Sequence, residues 1–205
     1  VEESLGQGLD NCGCGFKEGS DCDVLSVQWF AHTRDALGDD DKGWMAALPR
    51  KLEFTMNGRK IAVIHGAAEK MDRFVFHSDP ATEKNRDLDT LGVDGIIAGH
   101  CGLPFTDIID GRMWHNAGVV GMPANDGTPR TWYSVLTPGP DGIAVRLCPL
   151  DYDHAAASSS IYDKGLPDTY ARTLKDGLWP NMDVLPAAER EMRGQALAAQ
   201  NTLWR

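Results

Sequence analysis

The amino-acid sequence predicts an α/β layered domain, and two features of its patterning carry that prediction. Segments typical of strands alternate with segments typical of helices along most of the chain. Two short strands, residues 60–64 and 94–98, are apolar almost throughout, as strands covered on both faces are. The length of 205 residues fits one compact domain, or one domain with a short extension.

The N-terminal quarter is predicted to hold a loop and two helices. Residues 1–23 are rich in glycine, cysteine and acidic side chains, which is typical of a loop. Ser20 or Asp21 is expected to cap a helix that carries Trp29 and Leu37. A second helix is expected from about residue 40 to residue 48, because Pro49 disfavours helical geometry in the residue before it.

The central segment is predicted to form a hairpin, a helix and a second buried strand. Asn57-Gly58 separates an alternating stretch, residues 51–56, from the apolar strand 60–64, and this pattern indicates a β-hairpin. Residues 80–91 are expected to form a helix that Gly92 closes. The buried strand 94–98 follows that helix.

The remaining residues are predicted to form short strands and then helices. Strands are expected at residues 131–136 and 143–147, with turns at Asp110-Gly111 and at Pro138-Gly139-Pro140. Residues 151–205 are predicted to be a short helical C-terminal extension. Three prolines interrupt it, at positions 167, 180 and 186.

Charge and composition exclude several classes of function. Lysine and arginine number 20 against 30 aspartates and glutamates, which gives a net charge of −10. Such a surface repels phosphate backbones and anionic lipids, so the sequence argues against a non-specific nucleic-acid binder or a membrane-surface protein. No apolar run approaches the ~18–20 residues of a membrane span. Five cysteines, an odd number, and no visible secretory signal predict reduced thiols in the cytoplasm.

Two histidines stand directly after the two apolar strands. His65 and His100 each have a glycine beside them, Gly66 and Gly99. Ligands of α/β sheets bind beyond the carboxyl ends of strands, so the imidazoles converge if the two strands are neighbours. Such a pair can share one metal ion at nitrogen distances of ~2.0–2.1 Å, and the glycines would leave room for a ligand. The alternative is a pair of buried histidines bonded to backbone carbonyls.

Two further groups of residues are weaker candidates. Cys12, Cys14 and Cys22 are a candidate zinc site, although C-x-C is tighter than the usual pairing of cysteines. A glycine-rich loop with free thiols, or a labile disulfide, are the alternatives. Arg73 is a candidate contact for a substrate phosphate, and an exposed loop arginine is the simpler interpretation.

Several segments taken in order resemble a known family. Residues 48–66, Gly99-His100 and residues 114–123 resemble the C-terminal half of a calcineurin-like metallophosphoesterase, closest to the compact bacterial phosphodiesterases. The motifs of that family, in chain order, are D-x-H, G-D-x-x-D, G-N-H-[DE], a strand ending in His-Gly, and G-H-x-H. The resemblance covers residues 1–150 and implies a two-sheet α/β sandwich with helices outside.

The resemblance assigns roles to individual residues. His65 matches the histidine of the His-Gly motif and His100 matches the first histidine of G-H-x-H, which implies that both bind the same ion of a two-metal pair. Asn116 matches a loop that follows the site. It is expected to support the site through its amide without binding metal.

The sequence departs from the G-H-x-H motif at its second histidine. The motif reads Gly99-His100-Cys101-Gly102 here, and Gly102 has no side chain with which to bind metal. Cys101 would replace that ligand only if the chain turns at this point, because neighbouring side chains of a strand face opposite ways. Otherwise Cys101 is an inert buried thiol.

The first three family motifs are not found in the sequence. Aligned with G-N-H-[DE], Glu2 matches the acidic residue and Val1 stands at the histidine. We therefore expect the remaining ligands in ~70–80 residues upstream, about half a domain of ordinary size. On this interpretation the chain is the C-terminal portion of a metallophosphoesterase domain, lacks the N-terminal part, and has the upstream portion of the same domain as its partner.

The resemblance implies metal-dependent hydrolysis of phosphoric esters. Two divalent ions (Mn, Fe, Zn, Ni or Mg), ~3.5–4 Å apart, would hold a hydroxide and polarise a phosphoryl oxygen of a small phosphorylated substrate. The alternative is a non-catalytic binding module with a degenerate metal site, which the losses at Gly102 and Val1 favour. The oligomeric state is open.

Overall fold

The computed structural model describes residues 2–9, 19 and 21–205, without the side chains of Glu2, Asp21 and Cys22. Within these residues two β-sheets are flanked by helices, which confirms the predicted fold class. The described helices are α1 (Glu2–Gly6), α2 (Asp21–Ala36), α3 (Asp39–Ala46), α4 (Ala81–Leu91), α5 (His154–Asp163), α6 (Asp168–Asp176) and α7 (Ala187–Glu191). The described strands are β1 (Leu52–Met56), β2 (Arg59–Val63), β3 (Gly95–Ala98), β4 (Phe105–Ile109), β5 (Arg112–Asn116), β6 (Thr131–Gly139), β7 (Gly142–Leu150) and β8 (Gln200–Trp204).

The first sheet is mixed and the second is antiparallel. The first has the order β1-β2-β3-β5-β4, in which β3 runs parallel to β2 and to β5. Strands β1 and β4 pair antiparallel at its two edges, and the second sheet has the order β6-β7-β8. Because β2 and β3 are parallel neighbours, their carboxyl ends lie side by side. The two histidines that follow these strands therefore start from adjacent positions.

Two of the predicted turns are confirmed and one is displaced. Asn57-Gly58 and Asp110-Gly111 have positive φ at both residues (50° and 76°, 51° and 77°), as two-residue hairpin turns require. The third turn comes later than Pro138-Gly139-Pro140 predicts, because β6 continues through Gly139 and β7 begins at Gly142. Pro138 is tolerated there because β6 is an edge strand, where a missing N–H breaks no ladder bond.

The two sheets pack face to face through one apolar layer. Ile61 of β2, Met113 of β5 and Trp204 of β8 are fully buried in that layer. The opposite face of the first sheet carries Ala62, Ile96 and Trp114 and is covered by α4 and by the loops around it. Strands β2 and β3 are therefore covered on both faces, which is why β3 and the part of β2 that follows Lys60 are apolar.

The C-terminal residues 151–205 hold the expected helices but end in a strand that the sequence analysis missed. The predicted proline breaks separate helices α5, α6 and α7 from one another, whereas β8 pairs antiparallel with β7. Trp204 of β8 is fully buried, and its indole nitrogen donates to the carbonyl of Gly111 at 2.8 Å. The helical extension is therefore only part of the tail. The burial of Trp204 between the sheets explains why β8 forms, since the other residues of this strand show no strand pattern in the sequence.

Among the described residues, no helix is both long and apolar enough to cross a membrane.

A buried ion pair ties α4 to the edge strand β4. The side chain of Lys84 is 2% exposed, and its Nζ lies 2.6 Å from Oδ2 of Asp107 and 2.8 Å from the carbonyl oxygen of His77. Asp107 also accepts a hydrogen bond from Nδ1 of His77 at 2.7 Å. This bond raises the pKa of His77. Burial opposes the charged form of Asp107, but the bonds from His77 and Lys84 outweigh it and lower the pKa of that carboxyl.

We predict a pH-dependent loss of stability for His77→Gln. Because the pKa of His77 is raised in the folded state, its protonated imidazole stabilises the fold. This stabilisation is complete below the ordinary histidine pKa of ~6.5 and is lost as the pH rises through the raised pKa of the folded state. The side chain of His77 is 71% exposed, so solvent screening limits the gain to no more than about 1 kcal/mol. Urea unfolding between pH 5.5 and 8.5 should give a difference between wild type and variant that shrinks with pH. A constant difference would contradict the charge-based account.

Candidate metal centre

Backbone pairing beyond the ends of β2 and β3 sets the position of the two histidines. The amide of Ile64 donates to the carbonyl of Ile97 at 3.0 Å, and the amide of Gly99 donates to the carbonyl of His65 at 2.8 Å. The ladder therefore continues past both assigned strand ends. It places His65 next to Gly99, and His100 follows immediately.

The structure brings the two imidazoles into contact. Nε2 of His65 lies 3.1 Å from Nδ1 of His100, and the ring centroids are 4.9 Å apart. Nε2 of His100 lies 3.0 Å from the carbonyl oxygen of Asp72, which can only accept. His100 therefore carries its proton on Nε2 and turns the lone pair of Nδ1 toward His65. Burial, with a smaller contribution from His65, lowers the pKa of His100 to about 4, so this ring is neutral at neutral pH.

A tight turn at His100 aims its side chain at His65. The φ angle of His100 is 59°, and the amide of Cys101 donates back to the carbonyl of Gly99 at 2.7 Å. A non-glycine residue in this region costs on the order of 1–3 kcal/mol and persists only where surrounding contacts enforce it. Phe74 supplies one such contact, since its ring stacks on His100 at 4.2 Å between centroids.

Asn116 at the end of β5 holds the turn from the interior. Its side chain is fully buried, and Nδ2 donates to the carbonyl of Gly99 at 2.5 Å and to Sγ of Cys101 at 3.1 Å. Its Oδ1 accepts from the amide of Gly118 at 2.9 Å. One amide side chain therefore fixes the residues on both sides of His100.

The chain turns after His100, but the turn directs Cys101 into the core. Cys101 is 1% exposed, and its Sγ donates to the carbonyl of Leu103 at 3.6 Å. Burial raises the pKa of this thiol to about 12, whereas metal binding needs the thiolate. The structure therefore supports the inert-thiol interpretation of Cys101.

Position 102 is crowded for the second histidine of the family motif. Gly102 has a φ of 76°, and a Cβ there would lie 3.1 Å from the indole of Trp179. A histidine at this position would combine backbone strain with a displaced Trp179 ring. Gly102 therefore lacks a metal-binding side chain, and Trp179 packs against it where that side chain would begin.

The two glycines beside the histidines have different roles from those expected. A Cβ at Gly66 would lie 2.2 Å from the carbonyl oxygen of Met71 and 2.7 Å from that of Arg73, so the chain's own loop occupies the space predicted for a ligand. A Cβ at Gly99 would meet only the carbonyl oxygen of His65, at an ordinary 3.6 Å. Glycine at position 66 is therefore required for the close packing of the loop. At position 99 there is space for a Cβ, so packing does not require glycine there.

The loop that follows Gly66 is anchored by Arg73. Its guanidinium pairs with Glu83 at 3.2 Å and also with Asp87, which receives the amide of Ala68 at 3.3 Å. Burial raises the pKa of Asp87 against the opposing effect of Arg73. Arg73 thus binds two carboxylates of α4, which leaves the phosphate-contact interpretation without structural support. This anchoring also holds the neighbouring carbonyl of Asp72 against His100.

The structure does not describe some of the predicted residues, and it places one further histidine in the core. Val1, Cys12 and Cys14, and the side chains of Glu2 and Cys22, lie outside the described residues, so the proposals made for them stay predictions. His115 is fully buried, within 2.9 Å of Thr106 Oγ1 and 2.8 Å of Ser134 Oγ, and burial lowers its pKa to about 4. It is a neutral core histidine.

The structure adds neighbours that the sequence analysis missed. Asp72 acts through its backbone carbonyl, and no residue pattern signals such a contact. Phe74 follows Arg73 in the apolar stretch Phe-Val-Phe, and that apolar character was the signal in the sequence that could have identified it.

A cavity of about 330 Å³ opens beside His65, and Glu3 and Arg50 are among its lining residues. In the described part of the chain, no group of three or more His, Cys, Asp or Glu side chains is placed to hold a metal ion.

Two solved structures resemble this chain over most of its length. A hypothetical protein from Pyrococcus horikoshii OT3 superposes with a TM-score of 0.68 and 13% identity, covering 87% of this chain and 71% of the other. A metallophosphoesterase from Sphaerobacter thermophilus superposes with a TM-score of 0.65 and 18% identity, covering 86% and 74%. No family model and no curated protein matches the sequence. At these identities the likeness establishes the fold.

We predict that alanine at the two glycines has opposite consequences. Gly66→Ala should lower the free energy of unfolding by about 1–3 kcal/mol or more, because its Cβ would meet backbone atoms that cannot give way. Gly99→Ala should change it by less than about 0.5 kcal/mol. Denaturant unfolding of both variants checks this matched pair, and equal effects would contradict the loop packing described here.

We predict that Asn116→Ala destabilises the fold by about 1–3 kcal/mol. The change leaves the carbonyl of Gly99 and the amide of Gly118 without their partner in a buried setting. Asn201→Ala on β8, where the side chain is exposed, serves as the control and should stay within about 0.5 kcal/mol of wild type. Chemical unfolding measures both variants, and a neutral Asn116→Ala would show that the turn does not depend on this amide.

Proposed function

We propose that this chain, which has the fold of the calcineurin-like metallophosphoesterases, forms part of a two-metal site for the hydrolysis of phosphoric esters. The observation that carries the proposal is the contact between His65 and His100. Two imidazole nitrogens converge there at the carboxyl ends of parallel strands, where α/β sheets bind their ligands.

The distance between the two nitrogens fits a shared divalent ion. Two nitrogens that bind one ion at ~2.0–2.1 Å, with an angle of ~90–110° between the bonds, lie ~2.9–3.4 Å apart. The observed separation of Nε2 of His65 from Nδ1 of His100 is 3.1 Å. The carbonyl of Asp72 fixes the other nitrogen of His100, which is the usual way in which a protein orients a histidine ligand.

In this proposal His65 and His100 hold one ion, and Asn116 and Asp72 keep His100 in position. Two divalent ions (Mn, Fe, Zn, Ni or Mg) would supply there the Lewis-acid chemistry that activates water and polarises a phosphoryl oxygen. Two imidazoles are too few ligands for such a site. The remaining ligands would come from residues beyond the described ones, with Glu2 as a candidate and an upstream portion of the same domain as the source of the carboxylates.

The substrate is proposed to be a small phosphorylated molecule, because the cavity beside His65 has a volume of only about 330 Å³. A nucleic acid is a poor candidate for a chain with a net charge of −10. A reducing, cytoplasmic setting is proposed because Cys101 and Cys148 are free thiols.

A second candidate function is a binding module that retains the cleft without catalysis. Position 102 packs against Trp179 where the family has a ligand, and the thiol of Cys101 is buried and protonated. Such a module would bind phosphorylated ligands or a protein through the same cleft. Metal content and hydrolysis separate the two functions.

We predict that Zn²⁺ or Mn²⁺ binds through both histidines in the protein that includes the proposed upstream portion of the domain. Loss of a residue that only supports a metal ligand typically weakens metal binding about 10–100-fold. His65→Ala and His100→Ala should each weaken it by more than that, because each variant removes a ligand itself. Calorimetric titration measures the affinity, and His77→Ala, which removes an exposed histidine away from this centre, is the control.

Hydrolysis of bis(p-nitrophenyl) phosphate tests the catalytic part of the proposal. The metal-loaded protein, with the proposed upstream portion present, should release p-nitrophenol. Both alanine variants should lose that activity while His77→Ala retains it. Metal binding without hydrolysis would favour the binding module. Unchanged metal affinity in His65→Ala and His100→Ala would overturn the assignment of these ligands.

A further inference from the structure

An open cavity lies directly beside the histidine pair, and we call it the His65 cavity. Its volume is about 330 Å³, and its wall includes His65, Leu48, Leu52, Val63 and Met71. Leu52 and Val63 are register partners on β1 and β2 at the end of the hairpin that leads to His65. A molecule in this cavity therefore touches one of the proposed metal ligands.

The wall of the His65 cavity includes apolar side chains that face solvent. Leu52 is 58% exposed and Leu48 is 38% exposed, and both border the same cavity. Water against such a wall is readily displaced by an apolar group, which gains roughly 25 cal/mol for each Å² it buries. The wall therefore favours a ligand with an apolar organic group.

Positive charge stands at the same cavity. Arg50 and Lys51 line it together with Glu3, whose carboxylate pairs with Arg50, while Lys51 pairs with Glu53. Both ion pairs are solvent-exposed, and exposed pairs are worth only ~0–1 kcal/mol, so an anionic ligand can displace them. In a chain with a net charge of −10, two cations beside a proposed metal centre mark a place for a phosphoryl group.

We propose that the His65 cavity binds the organic group of the substrate, which is an aryl or similarly apolar ester of phosphoric acid. Arg50 contacts the phosphoryl oxygens, and Leu48 and Leu52 cover the ring. This inference rests on the proposed function for the identity of the reacting group. The volume lies at the lower end of the ~300–1,000 Å³ of small-molecule sites, so the organic group is about one ring in size.

A binding experiment tests this inference without relying on hydrolysis. Phenylphosphonate and methylphosphonate carry the same anionic group and differ in the apolar part. Calorimetric titration of the protein should give about tenfold tighter binding of phenylphosphonate, since burial of ~60 Å² of ring surface accounts for that factor. Equal affinities for the two ligands would overturn the proposal.

Variants in the apolar wall of the His65 cavity test whether the phenyl group binds there. Leu52→Ser should reduce the affinity for phenylphosphonate about three- to fivefold and leave methylphosphonate unchanged. The control is Ile108→Ser, which alters a 41% exposed apolar residue on β4, the opposite edge strand of the same sheet. Leu48→Ser provides a second variant from a different segment. A phenyl preference that survives both cavity variants would place the ring elsewhere and contradict the proposal.

A variant at the cavity mouth tests the anionic contact. Arg50→Gln should weaken both phosphonates by the same factor, while Arg146→Gln, an exposed position on β7, should weaken neither. Failure of this inference is distinct from failure of the proposed function. Intact metal binding through His65 and His100 without a phenyl preference rejects only the cavity. A phenyl preference that depends on Leu52, without metal binding, supports the cavity and rejects the metal centre.

Discussion

The parallel pairing of β2 with β3 is the constraint on which the rest of the structure depends. It continues past both strand ends to the hydrogen bond between Gly99 and His65, and that bond sets His100 beside His65. Without this shared edge the two residues, 35 positions apart in sequence, would have no common site. The helix α4 makes the parallel connection possible and also supplies the carboxylates that anchor the loop through Arg73.

The centre is built by contacts that oppose a local strain. His100 has a positive φ, which an L-residue with a side chain adopts only when its surroundings enforce it. Phe74 and the carbonyl of Asp72, from one loop, and the amide of Asn116, at the end of β5, provide that enforcement. Their combined effect is an imidazole held neutral, in one tautomer and in one orientation. This is the preorganisation that a metal ligand requires.

The parts of the fold that follow from local signals were predictable from the sequence. Asn57-Gly58 and Gly92 have conformations that their residue types favour, so the first hairpin and the end of α4 were placed correctly. Strand β8 was missed because its pairing with β7 and the burial of Trp204 depend on residues more than 50 positions away. The close packing at Gly66 was missed for a different reason, because the path of the following loop, whose carbonyls fill the space beside Gly66, has no signal in the sequence.

The central claim is that Nε2 of His65 and Nδ1 of His100 bind one divalent ion. Long-range proton–nitrogen NMR spectra of the imidazoles, recorded during a Zn²⁺ titration, test it most directly because they report each ring nitrogen separately. The account predicts that these two nitrogens change together at the same Zn²⁺ concentration, while Nε2 of His100 keeps its proton on the carbonyl of Asp72. Changes confined to other histidines, or at Nε2 of His100, would contradict it.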